Sequence, residues 1–486
     1  TMDIRRLEGF RGYPQAAQGL ETATPSPTGT PGDRVLLGAR PDQDGCGSKP
    51  YGPPTPQAPP PSSAATPPTK AQGGGVLARA EELAHQVLRR DTHLTHQPGE
   101  SRKLSVLAAG STHFEALWTR DACWGCLGLL ASGRDSGTVR DTLQAILNRQ
   151  RPSGEMPRRQ GNHKNTTAMI GDFLHLPLQN MKELDQVEFR NERDAFQYDG
   201  NALPLIAAAE YATRTGDVAF LEENYLELTR GADWLQRQDE QFLKKPERRL
   251  DLIDQDPSSD WKDVVGREGV VAYTNAVTYQ AHVSMATIDR LLGHPETAEK
   301  REAFAAALKE DFNQRLWDEK SGCYRDSEAD ARFSPDGNIL AVVYGLAEGP
   351  RADRVLESLD RVADSGPLPF QAAAENYPKS YVPLWLRAAG LRHYHDAFVW
   401  PWQGAAFAVA AARQGRTDMA REALEKVAAA ADRDGTFFEI YTPGDEPRPV
   451  RTWAYESERD FLWGAGTYLW ALQELREAEG AQAPSR

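Results

Sequence analysis

The sequence predicts an all-α chain built as a closed ring of helical hairpins, preceded by a segment outside that ring. Three observations lead there. Apolar residues recur at helical spacing in about a dozen runs, the runs come in pairs only a few residues apart, and strand patterning is nearly absent. A helical solenoid would show the same density of helices, but no common repeat of solenoid length runs through the chain. Loops rich in Trp, His, Asp and Gly separate the pairs, and long loops inside a compact domain are most often functional. Gathering them at one end of the ring gives a single site.

Residues 1–74 are dense in Pro, Gly, Ser and Thr, and the tract PPTPQAPPPSSAATPPTK is of low complexity. Such a segment buries too little apolar surface to offset the entropy of ordering it, so it is expected to be disordered or laid as a strap, without chemistry of its own. From Gly75 the pattern turns helical in VLARAEELAHQVLRR, and LSVLAAGSTHFEALW then reads as β-like. Helices are expected near 121–132, 138–150, 199–215, 218–238, 274–292 and 296–316. Further ones are expected near 336–347, 350–363, 379–390, 402–414, 416–432 and 458–478, so residues 75–486 form the catalytic body.

Composition narrows the function. The 486 residues are 40% apolar and 26% charged, as in a globular protein with a large core. A net charge of −14 argues against nucleic acid, whose phosphates call for a basic surface. No apolar run is long enough to span a bilayer, and TMDIRRLEGFRGYPQ has no signal-peptide core, so a cytoplasmic location is expected. Cys123 and Cys126 form a C-x-x-C, but within the apolar run DACWGCLGLL, and Cys46 and Cys323 stand alone. That reads as small core packing, not a metal or redox site.

The working centre is placed at LIDQDPSSDWKDVVGREGVVAYTNAVTYQAH, residues 252–282. Four acids (Asp254, Asp256, Asp260, Asp263) crowd a loop around Trp261, ahead of a helix. Taken alone, the loop reads equally well as an acidic cap. Other loops tip the balance. LWTRDACWG presents Trp118, Arg120 and Asp121 at a helix start, where a carboxylate and a guanidinium can hold vicinal hydroxyls while indoles stack on a sugar ring. FQYDGN offers Tyr198 and Asp199 at another helix entrance. HDAFVWPWQG packs His395, Asp396, Trp400, Trp402 and Gln403 into one turn, a costly apolar display unless buried or bound. Glu439 lies among Phe437, Phe438 and Tyr441, a setting that raises a carboxyl's proton affinity, and Trp453 and Glu456 follow.

Taken in order, these segments resemble those of the six-hairpin, (α/α)6-toroid glycosidases, chiefly the alkaline/neutral invertases and the amylo-α-1,6-glucosidase part of glycogen debranching enzymes. LWTRDACW is similar to their R-D signature, QYDGNALPLIAAAEYATRTGD to their hairpin ending in T-G-D, and DWKDVVGREG to their W-x-D loop. HDAFVWPWQG keeps the spacing of their H-N-G-x-x-W-P turn, and FFEIYTPGDEP is similar to their E-x-Y-D. The resemblance implies an inverting α-glycosidase in which Asp263 is the general acid and Glu439 the base; Asp260 is the runner-up acid, because both flank Trp261 and spacing does not give the loop's geometry. It also implies that Asp121 holds the sugar ring, and Trp118, Arg120, Tyr198, Asp199, Trp261, His395, Trp400, Trp402, Gln403 and Trp453 are expected to hold the sugar with it. No metal or cofactor is required by that chemistry.

The sequence departs from the pattern where Tyr273 takes the place of a Glu, Asp396-Ala397 that of Asn-Gly, and Thr442 that of the last Asp of E-x-Y-D. These changes leave open the sugar, from sucrose, trehalose or glucosylglycerate to α-1,6- or α-1,4-gluco-oligosaccharides. Two other classes also remain. A phosphorylase would use Arg451 or Lys262 for phosphate, and a sugar-binding protein would keep the aromatic loops without a working acid.

Overall fold

A computed structural model describes residues 73–173, 181–241, 252–363 and 366–482. The expectation for residues 1–74 therefore falls almost wholly outside the described residues. Fourteen helices occur among the described residues: α1 (Gly73–Arg90), α2 (Thr119–Ala131), α3 (Ser136–Leu147), α4 (Asn165–Phe173), α5 (Tyr198–Thr215), α6 (Val218–Gln241), α7 (Ala272–Leu291), α8 (Pro295–Leu316), α9 (Pro335–Val343), α10 (Pro350–Ala363), α11 (Leu384–Ala388), α12 (Pro401–Arg413), α13 (Thr417–Asp434) and α14 (Leu462–Gln482).

Six of them form an inner ring. α2 packs on α5, α5 on α7, α7 on α9, α9 on α12, α12 on α14, and α14 returns to α2. Their sequences explain the position. Nearly every residue of α2, α5 and α12 is buried, and α12 (PWQGAAFAVAAAR) is close to all-apolar, as a helix enclosed on all sides must be. The outer helices α3, α6, α8, α10 and α13 each pair with the inner helix before them, and bury one stripe while charged residues face outward. The sixth outer helix is α1, which lies on α13 and α14.

Five hairpins join consecutive helices as expected, and the sixth does not. The last hairpin joins the first and last helices of the body, and no local periodicity reveals it. The helix expected over 379–390 is instead a 3₁₀ turn (Lys379–Tyr381) and the short α11, since Pro378 and Pro383 each remove a helix donor. The β-like stretch resolves into Leu104–Leu107, paired with Thr92–Thr95, and Leu117–Trp118, paired with Arg159–Gly161.

Ring closure depends on glycine at the α2–α14 crossing. A Cβ on Gly128 would lie 2.4 Å from the Gly466 carbonyl oxygen, and one on Gly466 would lie 2.6 Å from that of Trp124. No side chain fits there because both neighbours are backbone. The rings of Trp124 and Trp463, from these two helices, stack at 6.0 Å beside that contact.

Candidate active site

All six inner helices present their first turns to the long loops. Arg120 and Asp121 open α2, Tyr198 and Asp199 open α5, Tyr273 opens α7, Asp336 opens α9, Trp402 and Gln403 open α12, and Trp463 opens α14. A helix N-terminus carries partial positive charge, which favours the acids placed there. The ring therefore assembles the site by directing six N-termini to one end.

The acid loop is closed as a short hairpin, Asp254–Gln255 pairing with Gly269–Val270. Inside it the two candidate acids lie in different surroundings. Asp260 is 1% exposed, and Arg267 donates to both its oxygens, from Nη2 at 2.8 Å and Nε at 3.0 Å. The same guanidinium reaches Asp326 at 2.8 Å and Asp336 at 2.9 Å. Burial opposes the charge on Arg267, but Asp260, Asp336 and Asp326 hold its pKa well above the ordinary arginine value. Lys262 is enclosed beside this group, donating to the Ser334 and Tyr377 hydroxyls and the Ala372 carbonyl. Asp260 and Lys262 thus brace the loop from within.

Asp263 faces the other way. Its side chain is 17% exposed, with Arg158 at 3.4 Å and Arg120 at 3.9 Å. Burial holds its pKa above the ordinary aspartate value, with the two guanidiniums opposing the rise. Arg120 is fixed by Asp199 (2.7 Å) and Gln197 (2.6 Å), and Asp199 also accepts from the Tyr273 hydroxyl at 3.2 Å. Tyr273, the departure from the invertase pattern, thus supports the Arg120–Asp199 pair. Asp121, next to Arg120, has its carboxyl pushed up to about 7 by burial.

Glu439 forms the second centre. It is 1% exposed, and each carboxyl oxygen accepts a phenolic hydroxyl, from Tyr394 and from Tyr455. Burial raises its pKa to about 8, against the lowering effect of the two tyrosine hydrogen bonds. Its backbone N–H donates to the carbonyl of Glu458, whose carboxylate is held by the N–H groups of Thr112 and His113. His113 in turn stacks on Tyr455 at 5.5 Å.

An aromatic cluster joins the centres. Trp261 meets His395, Trp400 and Trp402 edge-on at 5.2–5.3 Å, and His395 stacks on Trp400 at 5.4 Å. Tyr394 packs on both His395 and Trp400, which links Glu439 to the Trp261 loop. His395 is held neutral, its pKa pushed well below the usual value by burial and then by Lys262, Arg267 and Arg120. Asp396 accepts from Arg392 and His393 and so fixes the turn.

Not every expected sugar contact lies among these groups. Tyr198 is buried against Phe196 and Trp234 and belongs to the core. Trp402 stacks on Trp463 at 4.6 Å along the ring interior, and Gln403 is buried beside it in the sequence with neither amide atom bonded. Trp453 is 74% exposed and tethered to the Ala388 carbonyl, and Arg451 is likewise exposed. Trp118 lies under Arg158, its ring centre 4.7 Å from the guanidinium carbon. Cys123 and Cys126 are buried in α2, where burial raises both thiols.

The sequence reading missed Tyr394, Tyr455 and Arg158. The tyrosines stand within or beside the motifs it singled out; Arg158, in GEMPRRQGN, carries no local signal.

Residues 248–464, which include both Asp263 and Glu439, match the family model of the mannosylglycerate hydrolase MGH1-like glycoside hydrolase domain. Solved structures share the fold at low identity. The GH63 mannosylglycerate hydrolase from Thermus thermophilus, in complex with Tris, superposes with a TM-score of 0.58 at 15% identity, over 80% of this chain and 99% of that one. The GH78 rhamnosidase of a Bacillus species gives 0.55 at 14% identity over 81% of this chain, which spans only 34% of that enzyme. A rhamnosidase from Klebsiella oxytoca with rhamnose bound gives 0.57 at 16%, over 82% of this chain and 64% of that one. No helix among the described residues is long and apolar enough to cross a membrane. The family match over these residues and the shared fold support a glycoside hydrolase of the six-hairpin type.

Proposed function

We propose that the chain hydrolyses the glycosidic bond of a small α-hexoside with inversion at the anomeric carbon. Asp263 gives its proton to the leaving oxygen as the C1–O bond breaks and the bonding pair stays on that oxygen. Glu439 takes a proton from the water that adds to C1 on the opposite face. The observation that carries this reading is the contrast between the two carboxyls. Asp263 is partly open and flanked by arginines, whereas Glu439 is enclosed and held at both oxygens by tyrosines. Asp260 is the poorer acid, because both its oxygens are committed to Arg267.

The family match and the Thermus structure favour hexosides of glycerate over the sucrose, trehalose and gluco-oligosaccharides considered first. Arg120, Asp121 and Asp199 are proposed to hold the hexose hydroxyls, with Trp261, His395 and Trp400 walling the ring. Incubation with α-mannosylglycerate and α-glucosylglycerate, followed by NMR as the first anomeric proton appears, tests this reading. Release of β-hexose is expected; α-hexose as the first product would require a nucleophilic carboxylate and contradict inversion.

A further inference from the structure

We propose that Glu458 is a positioning residue for the base: it fixes the loop that backs Tyr455, and through His113 and Tyr455 it sets the direction of the Glu439 carboxyl. The inference rests on Glu439 being the base. A carboxylate that activates water must be aimed as well as placed, since a misplacement of about 1 Å can cost on the order of 10²-fold in rate. Tyr394 and Tyr455 do the aiming here, one on each oxygen.

The two tyrosines are held differently. Tyr394 is packed against His395 and Trp400. Tyr455 sits on a turn at the surface, where the Thr452 N–H donates to the Tyr455 carbonyl at 2.7 Å and the neighbouring Trp453 is 74% exposed. The Tyr455 ring meets Tyr394 edge-on at 6.0 Å and lies on His113 at 5.5 Å, with the planes 27° apart. A ring carried on a surface turn is braced from outside that turn, and His113 supplies the brace from a distant segment.

His113 is held in turn by Glu458. The buried Glu458 carboxylate accepts the Thr112 N–H at 2.6 Å, the His113 N–H at 2.7 Å and the Thr112 hydroxyl at 2.7 Å. Bonds to an ionised acceptor are short and strong, so these three fix the loop closely. The fit is tight, since a Cβ on Gly110 would lie 2.6 Å from Cγ and Oε1 of Glu458. At its other end Glu458 touches the base directly, because its carbonyl accepts the Glu439 N–H at 3.0 Å. A closed circuit results. It runs from the Glu439 backbone to Glu458, from the Glu458 carboxylate to His113, from the His113 ring to Tyr455, and from the Tyr455 hydroxyl back to the Glu439 carboxyl.

A kinetic double-mutant cycle on an α-hexosyl fluoride and on an α-hexosylglycerate tests the proposal. Glu458→Gln keeps the shape, but its amide nitrogen cannot accept from the loop donors. In this variant kcat is expected to fall by roughly 10–30-fold on both compounds, because the base serves both, with KM within about twofold of wild type. In a Tyr455→Phe background no hydroxyl remains to be aimed, and the same change should cost less than about threefold. His113→Ala removes the stack and leaves the side-chain bonds of Glu458 in place. It should show the same loss and the same dependence on Tyr455, and it decides the matter if Glu458→Gln does not fold. A role confined to holding the loop together predicts the full loss in both backgrounds. That result, or a kcat within about twofold of wild type for both single variants, overturns the positioning role while leaving Glu439 as the base. Glu439→Gln, measured alongside, keeps the two readings apart: wild-type turnover there sinks the base assignment, and the proposal with it.

Discussion

Glu439→Gln is expected to lose roughly 10³–10⁴-fold in kcat on any cleaved glycoside, near the upper end of what general base catalysis supplies. Glutamine keeps the shape and can still meet Tyr394 and Tyr455, so the loss reads proton acceptance and not packing. The pH behaviour follows from the buried carboxyl. With a pKa raised from 4.5 to about 8, the free protein holds Glu439 largely protonated at neutral pH, and one limb of the kcat/KM profile should lie near pH 8. The two tyrosine bonds favour the ionised form, so Tyr455→Phe should move that limb to higher pH, by about a unit if one such bond is worth about 1.5 kcal/mol. Stability depends on the same proton. The folded state binds this proton more tightly than the unfolded chain, so the contribution is fully present below pH 4.5 and is lost as pH rises through about 8. Glutamine does not titrate, and the variant's melting temperature should fall less steeply over that window. A kcat within a few-fold of wild type would remove Glu439 from the base role.

Arg267→Leu should have the largest effect on folding. It removes the one guanidinium shared by Asp260, Asp326 and Asp336, all buried, and leaves their charge balanced only by Lys262, 3.9 Å from Asp336. Breaking a buried ion pair by deleting one partner costs about 3–5 kcal/mol, and here three carboxylates lose the same partner. That is a large share of the ~5–15 kcal/mol that stabilises a domain. Urea denaturation is expected to show a midpoint well below wild type, or no folded baseline at all. A midpoint unchanged within error would show that the loop does not depend on this network.

Much of the ring was legible because inner and outer helices differ in sequence. The alanine-rich α12 and the charged-striped α13 follow from patterning alone, as do the polar first turns that aim Arg120, Asp199 and Tyr273 at one end. The partnership of α1 with α14 was not legible, since helices at opposite ends of the body meet only after the ring closes. Pro378 and Pro383 broke an apolar run that spacing alone reads as a helix. In the site, spacing could not separate Asp260 from Asp263. Both flank Trp261, and what distinguishes them is Arg267 on the far side of the hairpin against Arg158 from another loop. Tyr394 and Tyr455 were passed over for the same reason. An aromatic near a motif is a core residue by default, and only the fold brings both hydroxyls to one carboxyl.

The central claim is that Asp263 and Glu439 do unequal work, and an activated leaving group tests it most directly. Fluoride needs little proton donation, so Asp263→Asn should retain most of its turnover on an α-hexosyl fluoride while losing roughly 10²–10⁴-fold on the natural glycoside. Glu439→Gln should be poor on both, because water must be activated whatever leaves. Equal losses for Asp263→Asn on fluoride and glycoside, or a leaving-group-dependent loss in Asp260→Asn instead, would contradict the assignment.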